Sequence, residues 1–317
     1  MGKRRVRLLQ DIGGNILFGI DSNEERRKEA TEKYGIKCYE CIKSALIANK
    51  IDAAIISTSP LSHSAIIKEC LQNGLHVFTE INLVDDGYEE NIKLSKEKGK
   101  VLFLSSTFLY QDDIAEIISR VKHGNGKVDY IYHVGQYLPD WHPWESYKNY
   151  FIGDIRTNGC REIMAIELPW IVSCFGNVSS AVVRKSINTS LDINYNDNYI
   201  IILEHETGAK GVFAVDVVSR DAVRDLIIYS EDLHLTWKGS IDSLSVYNIK
   251  EQKNENIKFD VVAEHAEGYA SFIDEVPYRE ELIAFLRQIQ DSSFKPVWDF
   301  EKDSSVIKLI NEIESNE

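Results

Sequence analysis

Residues 51–84, IDAAIISTSPLSHSAIIKECLQNGLHVFTEINLV, decide the fold. Residues 53–57 are a short apolar run with no polar face, the pattern of a strand covered on both sides. Ser57-Thr58-Ser59-Pro60 is turn chemistry, and Ser62 is the expected cap of the helix that follows. Ala65, Ile66, Cys70 and Leu71 recur at helical spacing until Gly74, and residues 76–78 form the next buried strand, opening onto Glu80-Ile81-Asn82. Strand, helix and strand in this order make one unit of a parallel sheet. Ligands bind such sheets beyond the carboxyl ends of the strands, so both loops face one site.

Working toward the N-terminus, residues 42–48 read as a helix, 36–39 as a short strand, and 24–34 as a charged helix stopped by Gly35. Residues 16–20 form a strand ending at Asp21, and residues 1–10 a helix with Val6, Leu8 and Leu9 inward. This is half of a dinucleotide-binding sheet whose expected opening is a strand followed by G-x-G-x-x-G. Gly2 stands nineteen residues before Asp21, close to the ~20 that separate the glycine loop from the ribose-binding acid. Gly2 is therefore read as the third glycine, with the first strand and two glycines expected upstream of an internal Met1 or deliberately removed. If the protein begins at Met1, the sheet lacks its central strand and the pyrophosphate keeps only the helix N-terminus. Asp21 suits an adenosine 2′,3′-diol and would repel a 2′-phosphate, which favours NAD over NADP; its plainer role is to cap the next helix. Lys3, Arg4 and Arg5 suit an anionic cofactor or are simply solvated.

Toward the C-terminus, residues 85–98 read as an amphipathic helix and 101–105 as a buried strand, closing a first domain over 1–110. A linking helix spans 112–123. Alternation over 130–137 opens a second domain, 111–317, with a wet-faced sheet. Its further strands are expected at 178–185, 198–205, 211–218, 226–229, 233–238 and 244–248, and helices at 280–288 and 303–313. The fold class is α/β: a doubly wound parallel Rossmann sheet apparently without its first strand, then an α+β domain with a large, mostly antiparallel sheet.

The stretch STSPLSHSAIIKECLQNGLHVFTE resembles the glucose–fructose oxidoreductase / inositol dehydrogenase / MocA (Gfo/Idh/MocA) family of nicotinamide-dependent sugar oxidoreductases. The resemblance implies NAD held by Gly2, Lys3, Asp21, Ser57, Thr58, Ser59, Pro60, His63, Glu80 and Asn82. It also implies a last helix that packs near the first domain, and a homo-dimer or homo-tetramer. The family usually continues Glu-Lys-Pro, its lysine beside the nicotinamide; here the tripeptide is Glu80-Ile81-Asn82. It usually carries Asp-x-x-x-His and, three residues on, a second Asp. Counting back from Gly176 puts Glu162, Ile166 and Pro169 at those positions. Ile81 and Ile166 move no proton, so the family's usual acid/base chemistry does not carry over.

Two replacements stand out. Glu162 serves as a base if burial raises its pKa, or is an ordinary helix acid paired with Arg161 or Lys185. Glu162 and Glu167 lie five apart on a helix, offset by about 140°, and need not share a face. The aromatic run over 137–151, YLPDWHPWESYKNYF, supplies His142 as the other acid/base candidate. Trp141, Trp144 and Tyr147, with Arg161 and Glu167, are expected to line a sugar or nucleotide-sugar pocket. The plainer reading is a loop pinned by its two tryptophans. Arg220 and Arg224 are further candidates for a phosphate or carboxylate.

Composition narrows the class. The 317 residues carry 36 basic and 50 acidic side chains, a net charge of −14, which disfavours nucleic acid and anionic membranes as partners. No apolar run approaches a membrane span, and the basic start MGKRRVR is broken by Asp11-Ile12-Gly13-Gly14-Asn15 before any signal core forms. Five scattered cysteines suit a reducing compartment, and the cytoplasm is the expected location. Cys38-Tyr39-Glu40-Cys41 has no second pair, and no H-x-x-H cluster suggests a metal. The function this supports is an NAD(H)-dependent oxidoreductase of a sugar or nucleotide-sugar. The rivals are a non-catalytic sensor of dinucleotide or sugar, and a non-redox reaction with bound NAD.

Overall fold

A computed structural model describes residues 1–124, 128–142, 145–260, 264 and 274–316. The chain divides into two compact units. One comprises Met1–Thr107 with Glu275–Phe300, the other Phe108–Asp274 with Glu301–Glu317. The expected break at 110 falls close to this division, but residues 275–300 group with the first unit rather than with 111–274.

In the first unit the order is α1 (Gly2–Ile12), β1 (Phe18–Ile20), α2 (Glu24–Tyr34), β2 (Lys37–Tyr39), α3 (Ile42–Ala48), β3 (Ala53–Ile56), α4 (Pro60–Gln72), β4 (His76–Thr79), α5 (Tyr88–Lys98) and β5 (Leu102–Leu104). Its strands make two parallel sheets, β1-β2 and β3-β4-β5. Among the described residues no strand joins them, so β1 and β3 are each sheet edges, and Ala53, Ala54 and Ile55 are only half-buried. The core gathers Val77, Phe78, Phe103 and Leu104 against Ile67, Leu71, Leu8 and Phe285. Phe78 stacks on Phe103 at 5.3 Å, and Phe285 meets both edge-on.

One cap differs from expectation. Helix α4 begins at Pro60 with Ser59 as its N-cap, because proline's fixed φ and missing N–H suit the first helical turn. Ser62 lies inside the helix, where its hydroxyl donates to the Ser59 carbonyl at 2.7 Å.

In the second unit, α6 (Asp112–His123) leads to β6 (Asp129–Gly135), and a strap with 3₁₀ turns at Leu138–Asp140, Tyr147–Asn149, Phe151–Gly153 and Ile155–Thr157 leads to α7 (Gly159–Phe175). There follow β7 (Val178–Ser186), β8 (Asn198–His205), β9 (Lys210–Asp216), β10 (Val223–Tyr229), β11 (His234–Trp237), β12 (Ser245–Asn248) and β13 (Lys253–Asn256). Helix α8 (Val276–Gln290) belongs to the first unit, and α9 (Phe300–Ser315) falls almost wholly in the second. The eight-stranded sheet has the order β13-β12-β11-β10-β6-β9-β8-β7 and is antiparallel except for β6 beside β9. Strand β13 was not expected; its Lys-Asn-Glu-Asn sequence is exposed throughout and carries no hydrophobic alternation to betray it. One face of the sheet is packed by residues such as Tyr130, Tyr132, Ile201, Phe213 and Trp237 against α6 and α7.

Candidate functional site

In the first unit the loops after β3, β4 and β5 emerge on one side, as a parallel sheet requires. Arg5, on α1, ties them together. Its guanidinium donates to Glu80 (2.7 and 3.1 Å), to Glu281 on α8 (2.8 Å) and to the Ser105 hydroxyl (3.2 Å). It lies over the Phe78 ring at 4.6 Å. Burial opposes its charge, but Glu80 and Glu281 outweigh burial and hold its pKa above the ordinary value. Glu281 also accepts from Ser105, the Ser106 N–H (2.6 Å) and Thr107. Burial, only partly offset by Arg5, raises its pKa. Arg4 pairs with buried Glu275 at 3.1 Å. The N-terminal basic cluster therefore turns inward at Arg4 and Arg5, contrary to the solvated alternative. Lys3 alone stays exposed, paired with Glu29.

Several expected cofactor residues are engaged within this framework. His63 is buried, with Nδ1 2.7 Å from Asn82 Oδ1 and Nε2 3.0 Å from the Thr58 carbonyl, so it clamps the β3 loop to the β4 loop. Asn82 Nδ2 has no hydrogen-bond partner among the described residues. Glu80 accepts from Arg5 and, at 3.4 Å, from Ser57. Asp21 stands at the end of β1. It accepts from the Asn23 N–H at 2.8 Å, while Asn23, not Asp21, caps α2. Helix α1 has Met1 as its N-cap with no side-chain cap and no acid in its first turn. Its N-terminal N–H groups suit an anion. An added Cβ at Gly2 would sit 3.8 Å from Ser57 Cβ, an ordinary contact, so packing does not by itself demand glycine there.

In the second unit the parallel pair β6 and β9 exits at one edge of the sheet. The Gln136 N–H bonds the Asp216 carbonyl, and the Leu138 N–H that of Val217. The N-terminus of α7 meets this edge: an added Cβ at Gly159 would fall 2.9 Å from a Val217 methyl and 3.1 Å from a Leu138 methyl, so a larger residue would make these side chains shift. Glu162, one turn along, is half-buried, and Ile166 shares its partly accessible face. Burial alone pushes the Glu162 carboxyl up to about 7. Among the described residues no hydrogen bond or ion pair reaches it, so the pairing with Arg161 or Lys185 does not form. Tyr150 lies in the strap, whose next turn, residues 151–153, packs on α7. His142 stacks on its ring at 4.5 Å, with Nδ1 3.3 Å from Glu145.

The remaining expected contacts divide. Trp141 is half-buried and bonds the Gln136 carbonyl at 3.1 Å. Tyr147 is half-buried in the same strap. Trp144 lies outside the described residues. Arg161 and Glu167 do not face a pocket. Arg161 is buried and donates to Asn311 (2.6 Å) and Glu314 on α9. Glu167 is fully buried and accepts from Tyr132, Trp170 and Arg224, each at 2.7 Å. Arg224 is thus spent on Glu167, whereas exposed Arg220 stacks on Tyr137 at 3.5 Å.

Residues 4–106 match the family described as "Oxidoreductase family, NAD-binding Rossmann fold". The part matched is the helices and strands of the first unit, in keeping with the Gfo/Idh/MocA resemblance of the sequence. It is 24% identical to the myo-inositol 2-dehydrogenase of Thermotoga maritima over 304 residues, 89% of this chain and 83% of that protein. Among solved structures, a probable dehydrogenase from Thermotoga maritima shares the fold at a TM-score of 0.77 and 16% identity, over 99% of this chain and 93% of the other. The WlbA dehydrogenase from Bordetella pertussis, in complex with NADH and UDP-GlcNAcA, does so at 0.75 and 16%, over 98% and 91%. The fold therefore holds for this chain, its residues 4–106 match a family of NAD-binding oxidoreductases, and among the described residues no helix is long and apolar enough to cross a membrane.

Proposed function

We propose that the protein oxidises a carbinol of a sugar or nucleotide-sugar, or reduces the matching ketone, with Glu162 as the proton acceptor in place of the family's lysine and histidine. The observation that carries this is a half-buried carboxyl on the partly accessible face of α7 that no hydrogen bond or ion pair reaches among the described residues, and whose pKa burial raises to about 7. A base poised near the working pH combines a useful ionised fraction with real proton affinity. Glu162 is preferred to His142, which leans on Tyr150 and faces Glu145.

The cofactor, when bound, supplies the hydride acceptor at nicotinamide C4. Asp21 would hold the adenosine ribose, and the uncapped start of α1 at Gly2 and Lys3 the pyrophosphate, with Ser57–Pro60 alongside. Glu80 and His63 act as positioning groups, fixing the β3 and β4 loops through Arg5 and Asn82. Glu162 takes the hydroxyl proton as the carbinol becomes a carbonyl. Trp141 and Tyr147 offer apolar faces for a sugar ring.

The test is NADH formation, followed at 340 nm, from myo-inositol, glucuronate and UDP-N-acetylglucosamine with NAD⁺. Turnover that disappears in Glu162→Gln is expected. NADH binding without turnover on any of them would instead favour a dinucleotide sensor, the reading that Ile81 and Ile166 support.

The open face of the eight-stranded sheet favours a homo-oligomer as well. Val182, Ile200, Ile202, Ile131 and Tyr229 stand exposed across β7, β8, β6 and β10. The five long strands, about 4.8 Å apart and roughly 25 Å long, present on the order of 600 Å², approaching the ~800 Å² per partner of a stable interface. A second copy is the proposed occupant. Light scattering should give a dimer or tetramer, and the double variant Ile200→Lys, Ile202→Lys a monomer; a monomeric wild type would refute it.

A further inference from the structure

We infer that Tyr150 is a catalytic residue, its hydroxyl donating a hydrogen bond to the reacting oxygen while Glu162 accepts the proton. The inference rests on the assignment of Glu162 above and adds a second group to it.

The observation is an orphan. Tyr150 Oη is shielded from solvent and has no hydrogen-bond partner among the described residues, although a buried phenol ordinarily finds one. An unmet buried hydroxyl costs about 1–3 kcal/mol, so its retention points to a partner that arrives with the substrate. The ring is held in place: His142 stacks on it at 4.5 Å with planes 28° apart, and Phe151 meets it edge-on at 5.8 Å. The backbone is pinned too. The Gly153 N–H bonds the Tyr150 carbonyl at 3.0 Å, and the Thr157 hydroxyl bonds that of Phe151.

Burial raises the Tyr150 pKa, with Glu162 and then Glu145 adding to the rise. The phenol therefore keeps its proton and acts as a donor, while Glu162, the charge that acts on it most strongly, is the group that ionises. A donor and an acceptor, both unspent and on packed elements, suit a hydroxyl that loses its proton. In the oxidation direction the O–H proton passes to the Glu162 carboxylate and the C–H hydride to NAD⁺. The C=O double bond forms as the negative charge on oxygen is stabilised by the Tyr150 O–H. Protonated Glu162 then releases its proton to solvent.

Two measurements test this on the full chain. With tyrosine labelled at ¹³Cζ, the Tyr150 signal, assigned by its absence in Tyr150→Phe, should shift with a midpoint near 7 and stay flat in Glu162→Gln. A flat wild-type signal overturns the pairing without any substrate. In turnover of the three probes above, Tyr150→Phe should lower kcat about 10²–10³-fold, change KM less than threefold, and keep the pH inflection that belongs to Glu162. NADH binding should match wild type, and the thermal midpoint should not fall, since the variant loses an unmet hydroxyl. A kcat within twofold of wild type overturns the role of Tyr150 alone. NADH binding by a wild type that turns over none of the probes overturns the oxidoreductase reading beneath it.

Discussion

Glu80 and Glu281 in the first unit and Glu162 in the second are handled in opposite ways. In the first, Glu80 and Glu281 converge on one guanidinium, and hydroxyls and a backbone N–H satisfy their other lone pairs. In the second, Glu162 has no such company, and its pKa rises to about 7. Where charge is neutralised by the chain itself, the group is spent on architecture. A carboxyl left with its proton affinity raised and no partner in the chain is available for chemistry. The same contrast recurs on α7, where Glu167, paired with Arg224 and two further donors, differs from Glu162 only five residues earlier.

The largest effect should come from removing the unpaired carboxylate. Glu162→Gln should lower kcat by about 10²–10⁴-fold, the usual worth of a general base. Initial rates across pH 5–9 should show oxidation by the wild type rising through about 7, as Glu162 ionises, and no such inflection in the variant. Breaking the paired cluster should damage stability. Arg5→Met strands two buried carboxylates and should cost about 3–5 kcal/mol in denaturant unfolding. Because Glu281, whose pKa burial already raises, escapes the penalty by taking a proton, the deficit should shrink as pH falls toward 5. Adding Glu281→Gln should recover part of it at pH 8.

A smaller effect has the opposite sign. Glu162 has a folded pKa above its unfolded value, so its contribution is intact below the unfolded pKa and is lost as pH rises through the folded one. At pH 8 the ionised side chain costs stability, and Glu162→Gln should raise the thermal midpoint by about 2–4 °C. The gain should vanish near pH 4. Smallest of all, Lys3→Met removes only an exposed pair with Glu29, and calorimetry should find the midpoint unchanged.

Much of this was legible in the residues. Apolar runs and helical spacing place the strands and helices of residues 18–104 to within a few residues, since period and punctuation are local signals. Glu162 was reachable by counting back from Gly176. The inward turn of Arg4 and Arg5 was not, because MGKRRVR looks solvated and the partners Glu275 and Glu281 lie some 270 positions away. The engagement of Arg161 was hidden for the same reason: Asn311 and Glu314 are 150 or more residues distant. Tyr150 drew no attention within a crowded aromatic run, since an unmet hydroxyl is a property of packing.

The most direct test is the pKa of Glu162 itself, read by ¹³Cδ-glutamate NMR on the full chain and assigned by loss of the signal in Glu162→Gln. A midpoint near 7 is the result predicted. A midpoint near 4.5 would mean that the carboxylate is solvated or paired like those of the first unit, and would contradict its role as the proton acceptor.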